Sequence, residues 1–373
     1  MSQSEYAQAG VDYSKIEPFK RAMQEVGRRT REFPYRHGVR IIEVPHGHGA
    51  VYEYRYAHLP HLWCPLQEGL GNKNWIAEWM ADHAGTGRSY YDGIGVDSAL
   101  MAVNDVIAQG AMPVVYTDEI AAGDSEWFTE KPQRTRDLAE SFFQVCEEVG
   151  MALPAGESPA LRYLVKSELP VKSCPSLSGC VTGLIAPASN LITGEKLQPG
   201  DRILGAPSSG LYANGITLVI KRALTLPDKF LTKLPNGNTL GDEALIPTRS
   251  YVALIKALQL ANVEIHALVP GTGGGVAKIA FDQRPFTYRI TRWVEVPLLF
   301  QFFREQGVSL EDCLTTFNWG IGYYEIVPPH EVDDAIAAAA KAGYPLTELG
   351  GVETGKRKVI FEPEHITLPP PGE

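Results

Sequence analysis

The chain has 373 residues, which at roughly 150 residues per domain predicts two domains. Apolar residues make up 44% and charged residues 21%, ordinary globular usage that excludes wholesale disorder. Lys and Arg total 34 against 44 Asp and Glu, a net charge of −10 that argues against a nucleic-acid binder working by broad phosphate neutralisation. No run of about 18 apolar residues predicts a membrane span, and the opening MSQSEYAQAGVDYSK lacks the apolar core of a secretory signal. Cys64, Cys146, Cys174, Cys180 and Cys313 are widely spaced with no C-x-x-C, so they read as free thiols in a reducing cytoplasm rather than as zinc ligands.

Residues 1–40 read as a basic arm or helix, with spaced apolar positions from Val11 to Val26 followed by Arg28, Arg29 and Arg31. Strands are expected at Val39–Val44, Ala50–Tyr56 and His61–Leu66. The period turns helical over Val96–Gly110, with Val96, Ala99, Leu100, Val103, Val106 and Ile107 on one side. A strand is expected at Met112–Ile120, a helix at Gln133–Val149 ended by Gly150, and a strand at Leu177–Ile185. The Pro-, Gly-, Ser- and Asn-rich stretch near 186–200 marks a boundary, giving an arm over 1–40 and domains over 41–187 and 198–363. In the second half a strand is expected at Arg202–Ala206. Helices are expected near 214–225, 249–262, 276–282, 297–307 and 330–342, and strands at Phe317–Val327 and Lys358–Glu362. The tail LPPPGE cannot hold a helix and reads as a frayed end. Mixed strands and helices in two halves predict an α/β or α+β chain of two units.

The common nucleotide fingerprints are absent: there is no G-x-x-x-x-G-K-[ST] and no G-x-G-x-x-G after a strand. Nor is there a G-x-S-x-G or an H-E-x-x-H. Four other segments carry candidate chemistry. The first is Glu68-Gly69-Leu70-Gly71-Asn72-Lys73, after a strand. Its glycines permit close backbone approach, Lys73 supplies a point charge for phosphate and Glu68 suits a hard cation; a plain turn with a solvated lysine is the alternative. The second holds Asp97 and Asp105, eight residues apart. On a helix that is about 800° of rotation, so the two acids lie on neighbouring faces two turns apart. Burying the Asn104-Asp105 pair beside an apolar stripe needs partners, and Mg²⁺ is one; ordinary surface acids are the other reading. The third, Ser208-Ser209-Gly210-Leu211-Tyr212-Ala213-Asn214-Gly215, follows a strand and opens a helix, the setting of an anion site or of a simple cap. The fourth, Gly271-Thr272-Gly273-Gly274-Gly275, places four glycines in five residues. That composition is costly in backbone entropy and suits a phosphate cradle.

Eight segments in this order resemble the phosphoribosylformylglycinamidine cyclo-ligase (aminoimidazole ribonucleotide synthetase) family over nearly the whole chain: YAQAGVDYSKIE, EGLGNK, GIGVDSALMAVNDVIAQGAMPV, AGESP, SSGLYANGITLV, ALIPTRSYV, GTGGG and FNWGIGYYEIV. The resemblance implies a two-domain α/β fold, with N-terminal strands forming a barrel at a homodimer interface and a C-terminal α/β domain. It implies an ATP- and Mg²⁺-dependent ring closure in purine biosynthesis. ATP phosphorylates the amide oxygen of formylglycinamidine ribonucleotide, and the neighbouring amine displaces phosphate, leaving aminoimidazole ribonucleotide. The partner is thus a small ribonucleotide, with no nucleic acid and no membrane.

The expected metal ligands are Glu68, Asp97 and Asp105, with Lys73 and Asp105 as the catalytic pair. Expected at ATP and its phosphates are Gly69, Gly71, Asn72, Lys73, Asn104, Ser208, Ser209, Gly210, Asn214, Thr272, Gly273, Gly274 and Gly275. The sequence departs from the family pattern at Glu68 (usually Asp), Asn72 (Thr), Ala155 (Gly), Tyr212 (His) and Pro270 (in the region of a His). These departures leave open a same-fold enzyme acting on another amide or phosphate acceptor, and a non-catalytic nucleotide-binding homologue. His46 and His48 read as a solvated hairpin turn with metal binding as the alternative. His266 is either a core histidine or a substrate contact, and His330 a surface residue. Acidity is concentrated: residues 41–157 hold 18 acids against 6 bases, in the half that carries Glu68, Asp97 and Asp105.

Overall fold

The computed structural model describes residues 10–43 and 49–371. His46 and His48 lie outside the described residues. The chain divides into two compact units, residues 1–106 with 112–187, and residues 107–111 with 188–373. All five cysteines are free.

The first unit begins with helix α1 (Tyr13–Thr30), capped by the Asp12 carboxylate, which accepts the Ser14 N–H at 3.0 Å. Its apolar positions Ile16, Phe19, Met23 and Val26 are buried, so the expected arm is an amphipathic helix. Strands β1 (Val39–Ile42) and β2 (Val51–Tyr54) pair antiparallel. A four-stranded sheet follows in the order β3-β6-β4-β5, from β3 (Leu62–Gly69), β4 (Met112–Ala121), β5 (Ala152–Glu157) and β6 (Ser176–Ile185). Only the β4–β5 pair is parallel. These strands form an open sheet with β3 and β5 at its edges; no closed barrel stands among the described residues of one chain. Between them run α2 (Lys73–His83), α3 (Ile94–Val106), the single turn α4 (Trp127–Glu130) and α5 (Pro132–Val149). Gly150 ends α5 at φ 83°, donating its N–H to Cys146 O. Glu78 locks these helices together. Its buried carboxylate accepts from Tyr91 Oη at 2.9 Å, Trp127 Nε1 at 2.8 Å and Arg134 at 2.9 and 3.0 Å.

The second unit is built on a seven-stranded sheet ordered β13-β12-β9-β11-β7-β10-β8. Its strands are β7 (Arg202–Pro207), β8 (Ala267–Pro270), β9 (Phe286–Ile290), β10 (Ile321–Val327), β11 (Thr347–Thr354), β12 (Lys358–Phe361) and β13 (Ile366–Leu368). Helices α6 (Ile216–Ala223), α7 (Leu240–Ala244), α8 (Val252–Leu260), α9 (Leu298–Glu305), α10 (Leu310–Thr316) and α11 (Val332–Lys341) complete it. The expected helix at 276–282 is instead a 3₁₀ segment, Gly275–Ala280. The tail is not frayed at its start: Leu368 ends β13 and is buried, because β13 pairs with β12. Among the described residues no helix is long and apolar enough to cross a membrane.

Strand β10 is buried along its whole length, and Glu325 lies in its middle with both carboxylate oxygens lacking a hydrogen-bond partner. Burial therefore raises its pKa well above the usual 4.5, which favours the neutral acid. The sign of the linkage is fixed by this. The folded form keeps the proton that the unfolded chain releases above pH 4.5, so stability falls as pH rises through the window up to the folded pKa. Glu325→Gln is expected to flatten that slope. Its advantage over the parent should grow by about 1.4 kcal/mol per pH unit across the window, read as Tm at pH 5, 7 and 8. Parallel pH profiles of the two proteins would show that Glu325 is ionised in the fold.

Candidate functional site

In the first unit the Glu68–Asn72 turn is held by β3 pairing with β6 and by the Leu70 N–H, which donates to Leu177 O at 2.9 Å. Leu70 is buried, so Gly69, Gly71 and Asn72 turn outward and are exposed, while Glu68 is half-buried. The turn delivers the chain into α2, whose first residue is Lys73. Lys73 was expected to face phosphate. It is instead fully buried, with Nζ 2.9 Å from Oδ1 of Asp97, itself fully buried in the first turn of α3. Burial pulls the Lys73 pKa down, and the Asp97 carboxylate opposes that shift. Asn104 is buried and Asp105 half-buried further along α3. Among the described residues no three His, Cys, Asp or Glu side chains cluster as a metal-ion site. Of the expected ligands, Asp97 is engaged with Lys73, while Glu68 and Asp105 are half-buried. The half-buried acids Glu68 and Asp105 remain suited to a hard cation, and Mg²⁺ usually takes only one or two carboxylates plus substrate phosphates.

In the second unit three loops converge. Ser208 N–H donates to Gly320 O at 2.9 Å, and Ser208 Oγ donates to Asn318 Oδ1 at 3.1 Å. Asn318 Nδ2 donates to Gly210 O at 2.8 Å, and its Oδ1 also accepts the Gly320 N–H at 3.0 Å. One amide thus ties the Ser208–Gly215 loop to the turn before β10. Sequence reasoning did not single out Asn318, although it stands in the FNWGIG segment. The Gly271 N–H donates to Gly322 O at 2.9 Å, which brings in the third loop. Gly273, Gly274 and Gly275 have φ of 70°, 89° and 58°, three successive left-handed residues that side chains would strain. A Cβ on Gly273 would stand 3.7 Å from Asn214 Nδ2, so the two glycine-bearing loops are neighbours. Asn214 Oδ1 is buried with no hydrogen-bond partner, an open polar position at this junction. Thr272 is buried, and Lys278 donates to its carbonyl. Ser209 Oγ donates to Pro247 O at 2.7 Å. The arrangement presents backbone dipoles and small polar groups with no acid among them, a nest suited to phosphate oxygens.

Tyr212 does not stand in for an imidazole. It is buried, its hydroxyl is 2.6 Å from that of Tyr251, and it accepts the Ser209 N–H at 3.3 Å. Pro270 ends β8 within the sheet. His266 is a core residue, with Nδ1 2.8 Å from Asp201 Oδ2. His330 is exposed, as expected.

The family description "AIR synthase related protein, N-terminal domain" matches residues 79–185, and "AIR synthase related protein, C-terminal domain" matches 198–362. A phosphoribosylformylglycinamidine cyclo-ligase of Pyrococcus horikoshii is 32% identical over 370 residues, covering 97% of each chain. Among solved structures, E. coli HypE superposes with a TM-score of 0.61 at 14% identity, covering 94% of this chain and 95% of that one. A hydrogenase maturation protein HypE in complex with ATP superposes at 0.53 and 17% identity, covering 81% and 82%. At these identities the two superpositions speak for the fold.

The buried Lys73–Asp97 pair yields a stability test. Lys73→Met should cost about 3–5 kcal/mol by removing the cation paired with a buried carboxylate, and Lys73→Met with Asp97→Leu should recover most of it. Urea unfolding of both variants reads this. A single variant as stable as the parent would show that the pair is not buried in solution.

Proposed function

The chain belongs to the AIR synthase related family, and we propose that it carries out the ring closure for which its relatives are named. Formylglycinamidine ribonucleotide is converted to aminoimidazole ribonucleotide, with ATP consumed and ADP and phosphate released. The observation that carries this reading is the 32% identity to a cyclo-ligase along 97% of both chains. The run of three left-handed glycines beside Asn214 supports a phosphate-handling site. A fold neighbour solved with ATP supports the nucleotide.

On this reading the chemistry asks for positioning and charge neutralisation. The terminal phosphoryl group of ATP passes to the amide oxygen. The amidine nitrogen then bonds to the same carbon, and that carbon–oxygen bond breaks as phosphate leaves. The loops of Ser208–Gly210, Asn214 and Thr272–Gly275 would hold phosphate oxygens through N–H groups and small side chains. Glu68 and Asp105 would hold Mg²⁺, which when bound neutralises phosphate charge. Gly69 and Gly71 would let the backbone approach the nucleotide, with Asn72 and Asn104 supplying neutral hydrogen bonds. Lys73 acts at one remove, holding Asp97 and the start of α2 in place. Purified protein with the ribonucleotide, ATP and Mg²⁺ should release ADP and aminoimidazole in equal amounts. Glu68→Gln and Asp105→Asn should each lower kcat by about 10²-fold and raise the Mg²⁺ needed for half-maximal rate. No aminoimidazole, under conditions where an authentic cyclo-ligase produces it, overturns the assignment. ADP release with a different amide acceptor would redirect it.

A homodimer in the cytoplasm completes the proposal, with the four-stranded sheets of two copies closing the barrel. Its support is the apolar surface at edge strand β3. Leu62 and Trp63 are 40% and 37% exposed, and Trp63 lies beside Tyr52, with ring centroids 5.5 Å apart, and His61 at 5.9 Å. Trp63→Glu should shift a dimer toward monomer in sedimentation velocity. A parent protein that is monomeric throughout removes the proposal.

A further inference from the structure

Helix α1 lies against edge strand β5, and a cavity of about 210 Å³ opens there, lined by Lys20, Met23, Gln24, Asp118, Gly156 and Ser158 among others. It is smaller than the roughly 300 Å³ at which pockets for drug-sized ligands begin, so its occupant is small. It includes none of the residues assigned to ATP or metal above. Its floor holds a carboxylate: Asp118 of β4 is 5% exposed, and its Oδ1 has no hydrogen-bond partner among the described residues. Gly156 of β5 keeps that space open, since a Cβ there would stand 2.1 Å from Asp118 Oδ1.

Among the described residues no cation forms an ion pair with this acid. Glu157 on β5 adds a second negative charge nearby, and the Ser158 N–H already donates to it at 2.8 Å. Tyr116 on β4 and Cys146 on α5 also face Asp118, and burial raises both of their pKa values, which keeps them neutral. Lys20 on α1 is half-buried, with its ammonium 5.8 Å from the Tyr13 ring centroid. Burial pushes the Asp118 pKa up to about 7, opposed by a backbone hydrogen bond and reinforced by Glu157. A buried carboxylate in this state is completed by a donor that brings positive charge, because charge-assisted N–H bonds to a carboxylate are the strong ones.

We propose that the cavity between α1 and β5 binds a small molecule through a cationic N–H group, an ammonium or amidinium, seated on Asp118. Two sources carry such a group. One is the amidine end of the ribonucleotide, which rests on the reaction proposed above. The other is a separate small amine acting as an effector.

The test uses the full chain and acetamidinium chloride, titrated calorimetrically at constant ionic strength. Saturable one-to-one binding is expected at pH 8. Affinity should fall about tenfold by pH 6, as Asp118 gains its proton on passing through a pKa of about 7. Asp118→Asn should weaken binding at least tenfold. Should that variant fail to fold, crystals of the parent soaked with acetamidinium give the answer, with the cation expected within hydrogen-bond distance of Asp118. Absence of saturable binding, equal affinity in a folded Asp118→Asn, or a soaked cation seated elsewhere would each overturn the proposal. Where turnover is measurable, a raised KM for the ribonucleotide at unchanged kcat assigns the site to the substrate's amidine. Binding that leaves KM unmoved assigns it to a separate amine. Failure of the ring-closing reaction leaves the calorimetric result standing, so the two readings fail separately.

Discussion

The ion pair between Lys73 and Asp97 is the interaction on which the first unit's arrangement turns. Both side chains are wholly buried, at 2.9 Å. Each ion alone would cost several kcal/mol in lost hydration, so neither position is tolerable without the other. The pair fixes the first residue of α2 against the first turn of α3. It thereby sets the outward turn of Gly69, Gly71 and Asn72 relative to the helix that carries Asn104 and Asp105. Five residues further along α2, Glu78 repeats the device with Arg134 of α5, and the hydroxyl of Tyr91 and the indole of Trp127 complete its coordination. Two buried charges on one short helix anchor it on opposite sides. The acidity of this half of the chain is therefore partly structural, and only Glu68 and Asp105 among the expected ligands are left half-buried.

The second unit solves the positioning problem without ions. Asn318 spans two loops with a neutral amide, and Gly273 to Gly275 take left-handed backbone that side chains would strain. A nest of this kind carries partial positive charge that needs no counterion in the fold. The two units are thus chemically unlike. One carries the half-buried acids Glu68 and Asp105, and the other a junction of left-handed glycines with no acid in it. Such a division suits a reaction whose charge is carried by phosphate and its metal.

Much of the framework was legible because periodicity reports burial. The apolar stripe of α3, the Gly150 stop after α5, and the strands β4, β6, β7, β10 and β12 follow directly from spacing and cap chemistry. Strands β5 and β11 were not legible: ALPAGE and TELGGVET contain Pro or paired Gly, and β11 carries a register shift between Glu348 and Gly350. The glycine loops were readable as candidate cradles because their composition is costly without a function. The pairing of Lys73 with Asp97 was not legible because 24 residues separate them, and no local pattern shows that two charges will meet. Asp118 and Asn318 were missed for the same reason, since what distinguishes each is its neighbours across a sheet or between loops.

The departures from the family pattern look different once packing is known. Tyr212 occupies a place where relatives are expected to carry an imidazole, yet its hydroxyl is spent within the fold on Tyr251 and Ser209. Tyr251 in turn donates to Pro207 O at 3.0 Å, so the pair clasps the end of β7 to the loop that follows it. Gly322 accommodates the clasp, because a Cβ there would fall 1.8 Å from the Tyr251 hydroxyl. Tyrosine and glycine thus form one packing solution across two motifs. The phenol at this position braces the Ser208–Gly215 loop through hydrogen bonds made within the fold. Glu68 is a departure of another kind, half-buried at the turn that leads into α2.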